Sequence, residues 1–220
     1  MRTVLKHIVA HTYKPVLQKY LSSPRSYRWK DITLTIPPEV FHPGFFSSTH
    51  FLLRYLDKFS LQGKRILELG AGSGLISIYA AKKNAIVTAS DINPIAISNL
   101  ERNCSVNNVL VNIIQSDLFE NFQMQHFDLI VINPPYYKKD PVSFYEHAWY
   151  CGAKGEYFSK LFAQMCSYTD AGTKIFMVLC DDCDIPMIEK KAENHQAEMT
   201  LVESKQFLLE KNFIYQITYH

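Results

Sequence analysis

The sequence feature that most constrains this chain is a group of three glycines directly after a short apolar strand. Residues 65–69 predict a β-strand and residues 73–83 predict a helix, with Gly70, Gly72 and Gly74 around the junction. Glycines at such a junction allow a tight turn and let bare backbone approach a ligand. The start of the helix adds free N–H groups and the positive end of the helix dipole, which favour a carboxylate. We therefore expect a cofactor pocket at this turn.

The pattern from residue 64 onward is that of a parallel sheet covered by helices. Short β-branched runs alternate with helical stretches. The predicted strands are 65–69, 86–90, 109–115, 127–132 and 174–179, and the predicted helices are 73–83, 94–106 and 156–168. Residues 198–209 and 213–219 alternate and are separated by a short polar connection, which predicts a hairpin at one sheet edge. The predicted fold class is α/β: a doubly wound, Rossmann-like, seven-stranded and mostly parallel sheet with a C-terminal antiparallel hairpin and helices on both faces.

Length and composition favour a single soluble core. The chain has 220 residues, of which 47% are hydrophobic, and this is enough to bury one substantial core. Its purely apolar runs are far shorter than the roughly 20 residues that a membrane helix requires. The five cysteines are odd in number and irregularly spaced, which fits a reducing interior. We expect a cytoplasmic protein without membrane association.

An acidic residue at the end of the second predicted strand strengthens the expectation of a cofactor. Asp91 lies 21 positions after Gly70. At that place a carboxylate can accept hydrogen bonds from both hydroxyls of a ribose. The structural alternative is that Asp91 caps the helix predicted to begin at Pro94.

The run Glu68-Leu69-Gly70-Ala71-Gly72-Ser73-Gly74 resembles the motif by which class I methyltransferases bind S-adenosylmethionine (SAM). In that family an acidic residue precedes Gly-x-Gly-x-Gly, whereas nicotinamide sites normally read Gly-x-Gly-x-x-Gly. A carboxylate at Glu68 would repel a pyrophosphate and attract the ammonium and sulfonium of SAM. The resemblance also implies that Asp117, after the third predicted strand, accepts a hydrogen bond from the adenine amine. The implied SAM site comprises Glu68, Gly70, Gly72, Gly74, Asp91, Asp117 and Asn133.

Asn133-Pro134-Pro135-Tyr136 follows the fourth predicted strand and resembles the motif of amino methyltransferases. The lone pair of an amide or aryl amine is delocalised, so the nitrogen is a poor nucleophile until acceptors hold both N–H bonds. The side-chain oxygen of Asn133 and the carbonyl of Pro134 can hold one NH2 group, and Tyr136 can stack on a flat target. No strong base is needed, because positioning for in-line attack supplies most of the catalysis. We assign catalytic roles to Asn133, Pro134 and Tyr136; the structural alternative is a plain Pro-Pro turn.

Two further stretches extend the resemblance. Residues 41–49 lie where related enzymes place a segment that closes over SAM. Residues 151–158 partly resemble the Gly-Gly-x-x-Gly stretch of the release-factor glutamine methyltransferases (HemK type), and the resemblance covers about residues 40–180. The sequence departs from that family in two ways. The first 40 residues are too few for its helical substrate domain, and Phe41-His42-Pro43-Gly44 replaces its usual Pro-Arg-Pro-Glu run.

Positive charge is concentrated at the N-terminus. Residues 1–30 contain seven of the 23 basic residues and no acidic one, so the remainder has 16 basic and 21 acidic residues. The basic side chains are interleaved with Tyr and Trp, which suits stacking on single-stranded nucleic acid, although a short amphipathic helix with solvated lysines is the favoured interpretation. We divide the chain into a basic, aromatic segment for substrate contact or packing (residues 1–40) and a SAM-dependent methyltransferase domain (residues 41–220).

Cys180-Asp181-Asp182-Cys183 has the spacing of two metal ligands or of a redox pair, and we expect neither role. A second Cys-x-x-Cys and a nearby pair of histidines are missing from the sequence, so a tetrahedral shell is incomplete. We therefore predict no metal site.

The predicted function is SAM-dependent methyl transfer to a planar nitrogen, with the acceptor left open. The family resemblance favours a protein glutamine, and the basic N-terminal segment favours an adenine-N6 or guanine-N2 amine of rRNA or tRNA. Two alternatives belong to other classes. The intact Asn-Pro-Pro-Tyr motif speaks against a SAM-binding module without catalysis, and Glu68 speaks against a nicotinamide-dependent oxidoreductase.

Overall fold

The computed structural model describes residues 22–208 and 210–220. Its strands are β1 (Arg25–Trp29), β2 (Ile32–Ile36), β3 (Arg65–Leu69), β4 (Ile86–Asp91), β5 (Asn112–Gln115), β6 (Leu129–Ile132), β7 (Lys174–Cys180), β8 (Ala197–Gln206) and β9 (Lys211–Tyr219). Its α-helices are α1 (Ser47–Leu56), α2 (Leu75–Lys82), α3 (Pro94–Val106), α4 (Glu156–Met165) and α5 (Ile185–Glu193). Within these residues, no helix combines the length and the apolar character needed to cross a bilayer.

The main sheet contains seven strands in the order β5-β4-β3-β6-β7-β9-β8. Strands β3 to β7 run parallel to one another, and β9 runs antiparallel to both β7 and β8. This arrangement confirms the predicted fold class. All four residues of β6 are buried, as expected for a central strand covered on both faces.

Helices cover both faces of this sheet. Ile66 of β3 points into a core that it shares with residues of α1, α2 and α3. Its neighbour Leu67 points to the opposite face, where α4 and α5 supply the packing partners. The chain leaves β3 toward β4 and leaves β6 toward β7, so the connections after the neighbouring strands β3 and β6 diverge at the carboxyl edge. Such a divergence leaves a crevice at that edge in open α/β sheets.

The hairpin of β1 and β2 was not predicted. Ile32, Leu34 and Ile36 are buried and alternate with exposed Thr33 and Thr35, which is the period of a half-buried strand. The basic N-terminal segment therefore includes a strand at Arg25–Trp29, and an amphipathic helix is excluded there. Residues 1–21 of that segment lie outside the described residues.

Two asparagines hold the hairpin against the main domain: Asn103 within α3 and Asn107 at its C-terminal cap. Asn103 accepts a hydrogen bond from the Thr35 N–H at 2.9 Å and donates to the Thr35 carbonyl at 3.0 Å. Asn107 does the same with Thr33, at 3.1 Å and 2.7 Å. The amides thus pair with the outer edge of β2 as a neighbouring strand would. This docking fixes the start of the segment that follows β2.

Gly74 generates a prediction about stability. It lies at the start of α2 with φ 81°, and a Cβ added there would lie 2.0 Å from the Leu100 Cδ1 atom of α3. We expect Gly74→Ala to lower the free energy of unfolding by about 2 to 4 kcal/mol, since backbone strain and overpacking add. Urea denaturation measures the loss.

The matched control is Gly63→Ala. Gly63 has φ 70°, but a Cβ there would meet no atom within 4 Å, so we expect only the backbone cost of about 1 kcal/mol. Equal losses in the two variants would contradict the proposed contact with Leu100.

Candidate active site

A cavity opens at the carboxyl edge of the central parallel strands. All but one of the predicted site residues line it, namely Glu68, Gly70, Gly72, Asp91, Asp117, Asn133, Pro134 and Tyr136. Gly74 is the exception among the predicted glycines, because its α-carbon faces Leu100 and the core. Gly74 therefore serves the packing of α2 on α3.

The glycine turn is tied to the end of β4 by Asp91. The Gly72 N–H donates to Asp91 Oδ2 at 2.8 Å, and the Asn93 N–H donates to Asp91 Oδ1 at 2.9 Å. The cap of α3 is Asn93, whose side chain accepts from the Ile95 N–H at 2.9 Å. Asp91 is thus not the helix cap, and burial raises the pKa of its carboxyl group.

Glu68 is buried beneath the same turn. Its Oε2 atom accepts a hydrogen bond from the Ser77 N–H at 2.8 Å and a second one from the Ser77 hydroxyl. Burial raises the pKa of Glu68 to about 8, and the charge of Asp91 acts in the same direction. The carboxyl group therefore holds its proton at neutral pH when no cation is nearby.

Asp117 lies on the cavity wall beyond β5. Lys160 of α4 donates to its Oδ2 atom and also pairs with Glu120. The lysine fixes one carboxylate oxygen of Asp117, and the second oxygen remains as an acceptor site on the group.

Asn133 marks the point where β6 ends, because the two prolines that follow cannot donate to the sheet. The Asn133 Nδ2 atom donates to Thr49 Oγ1 of α1 at 3.3 Å. Thr49 is buried and lines the cavity, so α1 orients the amide of Asn133. The sequence analysis assigns Thr49 only to the covering segment, residues 41–49, and does not predict its contact with Asn133.

The loop after β6 folds back on itself and carries further cavity residues. Tyr136 and Tyr137 each donate their backbone N–H to the Trp149 carbonyl, at 3.2 Å and 3.0 Å. Tyr136 is half-buried, and its phenol lies beside the sulfur of Cys180 at the end of β7. Tyr157 of α4 also lines the cavity.

Three aromatic side chains form one wall of the cavity. Trp149 packs against Phe41, with ring centroids 5.5 Å apart, and against Phe46, at 5.2 Å. Phe41 and Phe46 belong to the predicted covering segment, residues 41–49, whereas Trp149 was missed. The signal for Trp149 was the aromatic content of the loop after the Asn-Pro-Pro-Tyr motif. Its indole N–H is buried and has no acceptor among the described residues.

The raised pKa of Glu68 predicts a pH dependence of stability. An unfolded glutamate titrates near pH 4, so between about pH 4 and pH 8 the folded state keeps a proton that the unfolded state releases. The free energy of unfolding therefore falls as pH rises through this range. We expect Glu68→Gln to remove several kcal/mol of this dependence.

Urea denaturation at pH 5 and pH 8 tests this expectation. The matched control is Glu120→Gln, which removes an exposed carboxylate of the same edge and should keep the wild-type dependence. A Glu68→Gln profile parallel to that of the wild type would refute the assignment.

Known proteins share this architecture. A T. thermophilus 16S rRNA guanine N2 methyltransferase, solved with AdoMet and guanosine, superposes with a TM-score of 0.63 at 18% identity, covering 90% of this chain and 50% of that chain. A ribosomal protein L11 methylase from Lactobacillus delbrueckii superposes with the same TM-score and identity, covering 84% of each chain. At these identities the likeness concerns the fold.

Sequence comparison gives a more specific result. A Methanocaldococcus jannaschii protein with the provisional name protein N5-glutamine methyltransferase is 42% identical over 106 residues, which are 48% of this chain and 51% of that protein. The chain thus spans about half the length of this relative. The model of the methyltransferase small domain matches residues 31–149, more than half of the 220 residues. The chain therefore belongs to the methyltransferase small domain family of SAM-dependent methyltransferases.

Proposed function

We propose that this chain transfers the methyl group of SAM to a planar amide or exocyclic amino nitrogen. The observation that carries the proposal is that Asn133 and Pro134 lie on the same cavity as the glycine turn. A clamp for an NH2 group and a site for a nucleoside cofactor are thereby brought within one enclosure.

The cofactor end of the cavity offers a distinct partner for each part of SAM. Gly70 and Gly72 present backbone that approaches a ligand closely. Each carboxylate oxygen of Asp91 accepts one backbone N–H and has a further lone pair for a ribose hydroxyl. Asp117 supplies the acceptor for the adenine amine. A nearby sulfonium or ammonium would favour the ionised form of Glu68.

The acceptor end supplies positioning for the nitrogen. With Nδ2 of Asn133 bound to Thr49, its Oδ1 atom is the one that accepts an N–H of the substrate. The Pro134 carbonyl accepts the second N–H, and Tyr136 bounds the flat group. Both acceptors concentrate electron density on the nitrogen as it forms the bond to the methyl carbon, and the proton leaves only afterwards.

Two observations favour a protein glutamine as acceptor. Lys138 and Lys139 follow the cavity residue Tyr137 and form ion pairs with Asp184 and Glu146. Their positive charges are therefore already neutralised and are less available for contacts with phosphate. The M. jannaschii relative carries a glutamine methyltransferase name.

An RNA base amine is the second candidate. It is favoured by the basic residues 1–30 and by the likeness to the T. thermophilus rRNA methyltransferase. A non-catalytic SAM-binding module is disfavoured, because the NH2 clamp would then have no purpose. Membership of a methyltransferase family speaks against a nicotinamide-dependent oxidoreductase.

Asn133→Ala tests the proposed clamp. We expect the variant to bind SAM with near wild-type affinity and to lose about 100-fold or more in methyl transfer, because one acceptor for the nitrogen is gone. Calorimetry measures binding, and transfer of radiolabelled methyl measures turnover. Asn121→Ala is the matched control, since Asn121 bonds to the Gln115 carbonyl outside the cavity. Wild-type turnover in Asn133→Ala would refute the role of this residue.

A labelling experiment separates the acceptor classes. The enzyme is incubated with radiolabelled SAM and a cell lysate, and the product is divided between nuclease and protease. For a glutamine acceptor we expect the label to survive nuclease and to be released by protease. Label that is lost to nuclease identifies RNA instead.

The RNA candidate makes its own prediction. Neutralising Lys14 and Lys19, which lie outside the described residues, should weaken RNA binding and reduce its salt dependence. Filter binding over a range of salt concentrations measures both. RNA affinity that is indifferent to salt counts against this candidate.

A further inference from the structure

Two cysteines meet behind the acceptor end of the cavity. Cys180 is the last residue of β7, and Cys183 precedes α5. Their sulfur atoms lie 3.8 Å apart, and the Cys180 N–H donates to Cys183 Sγ at 3.2 Å. Cys180 is buried, whereas Cys183 is partly exposed, so the pair is reachable from solvent through one of its sulfurs. The short connection keeps both thiols in contact.

Polar groups surround the sulfur of Cys180. The Cys183 thiol lies 3.8 Å away, and the Asp182 backbone N–H and the Tyr136 phenol are close enough to affect the pKa of Cys180. The hydrogen bond from Cys183 is the main cause that lowers the pKa of the Cys180 thiol, although burial and the charge of Glu210 oppose it. Hydrogen bonds to a sulfur favour its thiolate, which is the form that reacts with disulfides.

We propose that Cys180 and Cys183 are a redox-active dithiol that closes reversibly to a disulfide and thereby changes the polar contact between Cys180 and the Tyr136 phenol. This modification site goes beyond the proposed methyl transfer. A disulfide sulfur carries no charge and is a weak acceptor, so closure deprives the Tyr136 phenol of its partner. Because Tyr136 lines the cavity, oxidation of the cysteine pair alters the surroundings of a side chain at the acceptor end.

Oxidised glutathione is a suitable oxidant, and the reaction balances. Cys180 in its thiolate form, whose proton has gone to solvent, takes the proton of the accessible Cys183 thiol, and the Cys183 sulfur attacks one glutathione sulfur and releases one glutathione thiolate. Cys180 then loses its proton and attacks the Cys183 sulfur, forming the protein disulfide and releasing the second glutathione thiolate. The two cysteines lose two electrons, which reduce one glutathione disulfide, and the two protons end on two glutathione thiols.

A metal site is less well supported by the same residues. The side chains of Asp181 and Asp182 approach Cys180, with all three ligand atoms within 4.8 Å of one another. Both carboxylates are exposed, and Asp181 Oδ1 accepts a hydrogen bond from the Lys211 N–H at 3.1 Å. Zinc that stays bound through dialysis would indicate a metal site at these residues instead.

The test equilibrates the protein in glutathione buffers of increasing oxidised fraction, followed by acid quenching, maleimide labelling and intact and peptide mass spectrometry. We expect Cys180 and Cys183 to lose their two labels together and to regain them after dithiothreitol. Cys166→Ser, which removes an exposed cysteine outside the pair, should leave this titration unchanged. Cys183→Ser should abolish the internal disulfide. This readout does not depend on methyl transfer, so it stands whether or not the proposed function holds.

Three results would overturn the dithiol. They are full labelling of both cysteines at the highest oxidised fraction, glutathione attached singly without ring closure, and zinc retained through dialysis that blocks oxidation.

Tyr136→Phe tests the link to the cavity. Loss of the polar contact with the reduced sulfur should favour the disulfide, and we expect the midpoint of the glutathione titration to shift by about 3-fold to 10-fold toward reducing buffers. Tyr219→Phe is the matched control, because it removes a phenol that donates to the Phe162 carbonyl elsewhere. An unchanged midpoint in Tyr136→Phe would contradict the switch.

Discussion

The hydrogen bonds accepted by Asp91 are the interaction on which the cavity depends. One carboxylate at the end of β4 holds the Gly72 N–H of the turn after β3 and the Asn93 N–H before α3. Glycine turns lose much conformational freedom on folding, so this turn needs a partner that fixes it. Asp91 orders the two strand ends together, and the floor of the cavity is therefore formed before any ligand arrives.

The two ends of the cavity differ in how they are built. The floor consists of strand ends and helix starts, whose positions follow from the sheet. The wall formed by Phe41, Phe46 and Trp149 joins the segment after β2 to the loop after β6. The aromatic side chains bring these two connections into contact. The cofactor end is thus fixed by backbone hydrogen bonds, and the acceptor end is adjustable by aromatic packing.

Much of the fold was predictable because period and composition agree locally. The bounds of β3 and α3 match the prediction, and the motif residues after β6 reach the cavity as expected. Gly74 shows the limit, since a glycine pattern does not reveal which glycine faces a ligand and which faces Leu100. The contacts of Thr49 and Trp149 arise from residues far apart in sequence. Local periodicity carries no information about such contacts.

The asparagine pairs on α3 have a consequence for assembly. An unpaired strand edge is a template on which another chain can add a strand. On the outer edge of β2, the N–H and carbonyl groups of Thr33 and Thr35 are already bound by Asn107 and Asn103, and β1 occupies the opposite edge. A peptide or a second copy therefore finds no free hydrogen-bonding groups at these two threonines, and sheet extension along this edge is closed by side chains alone.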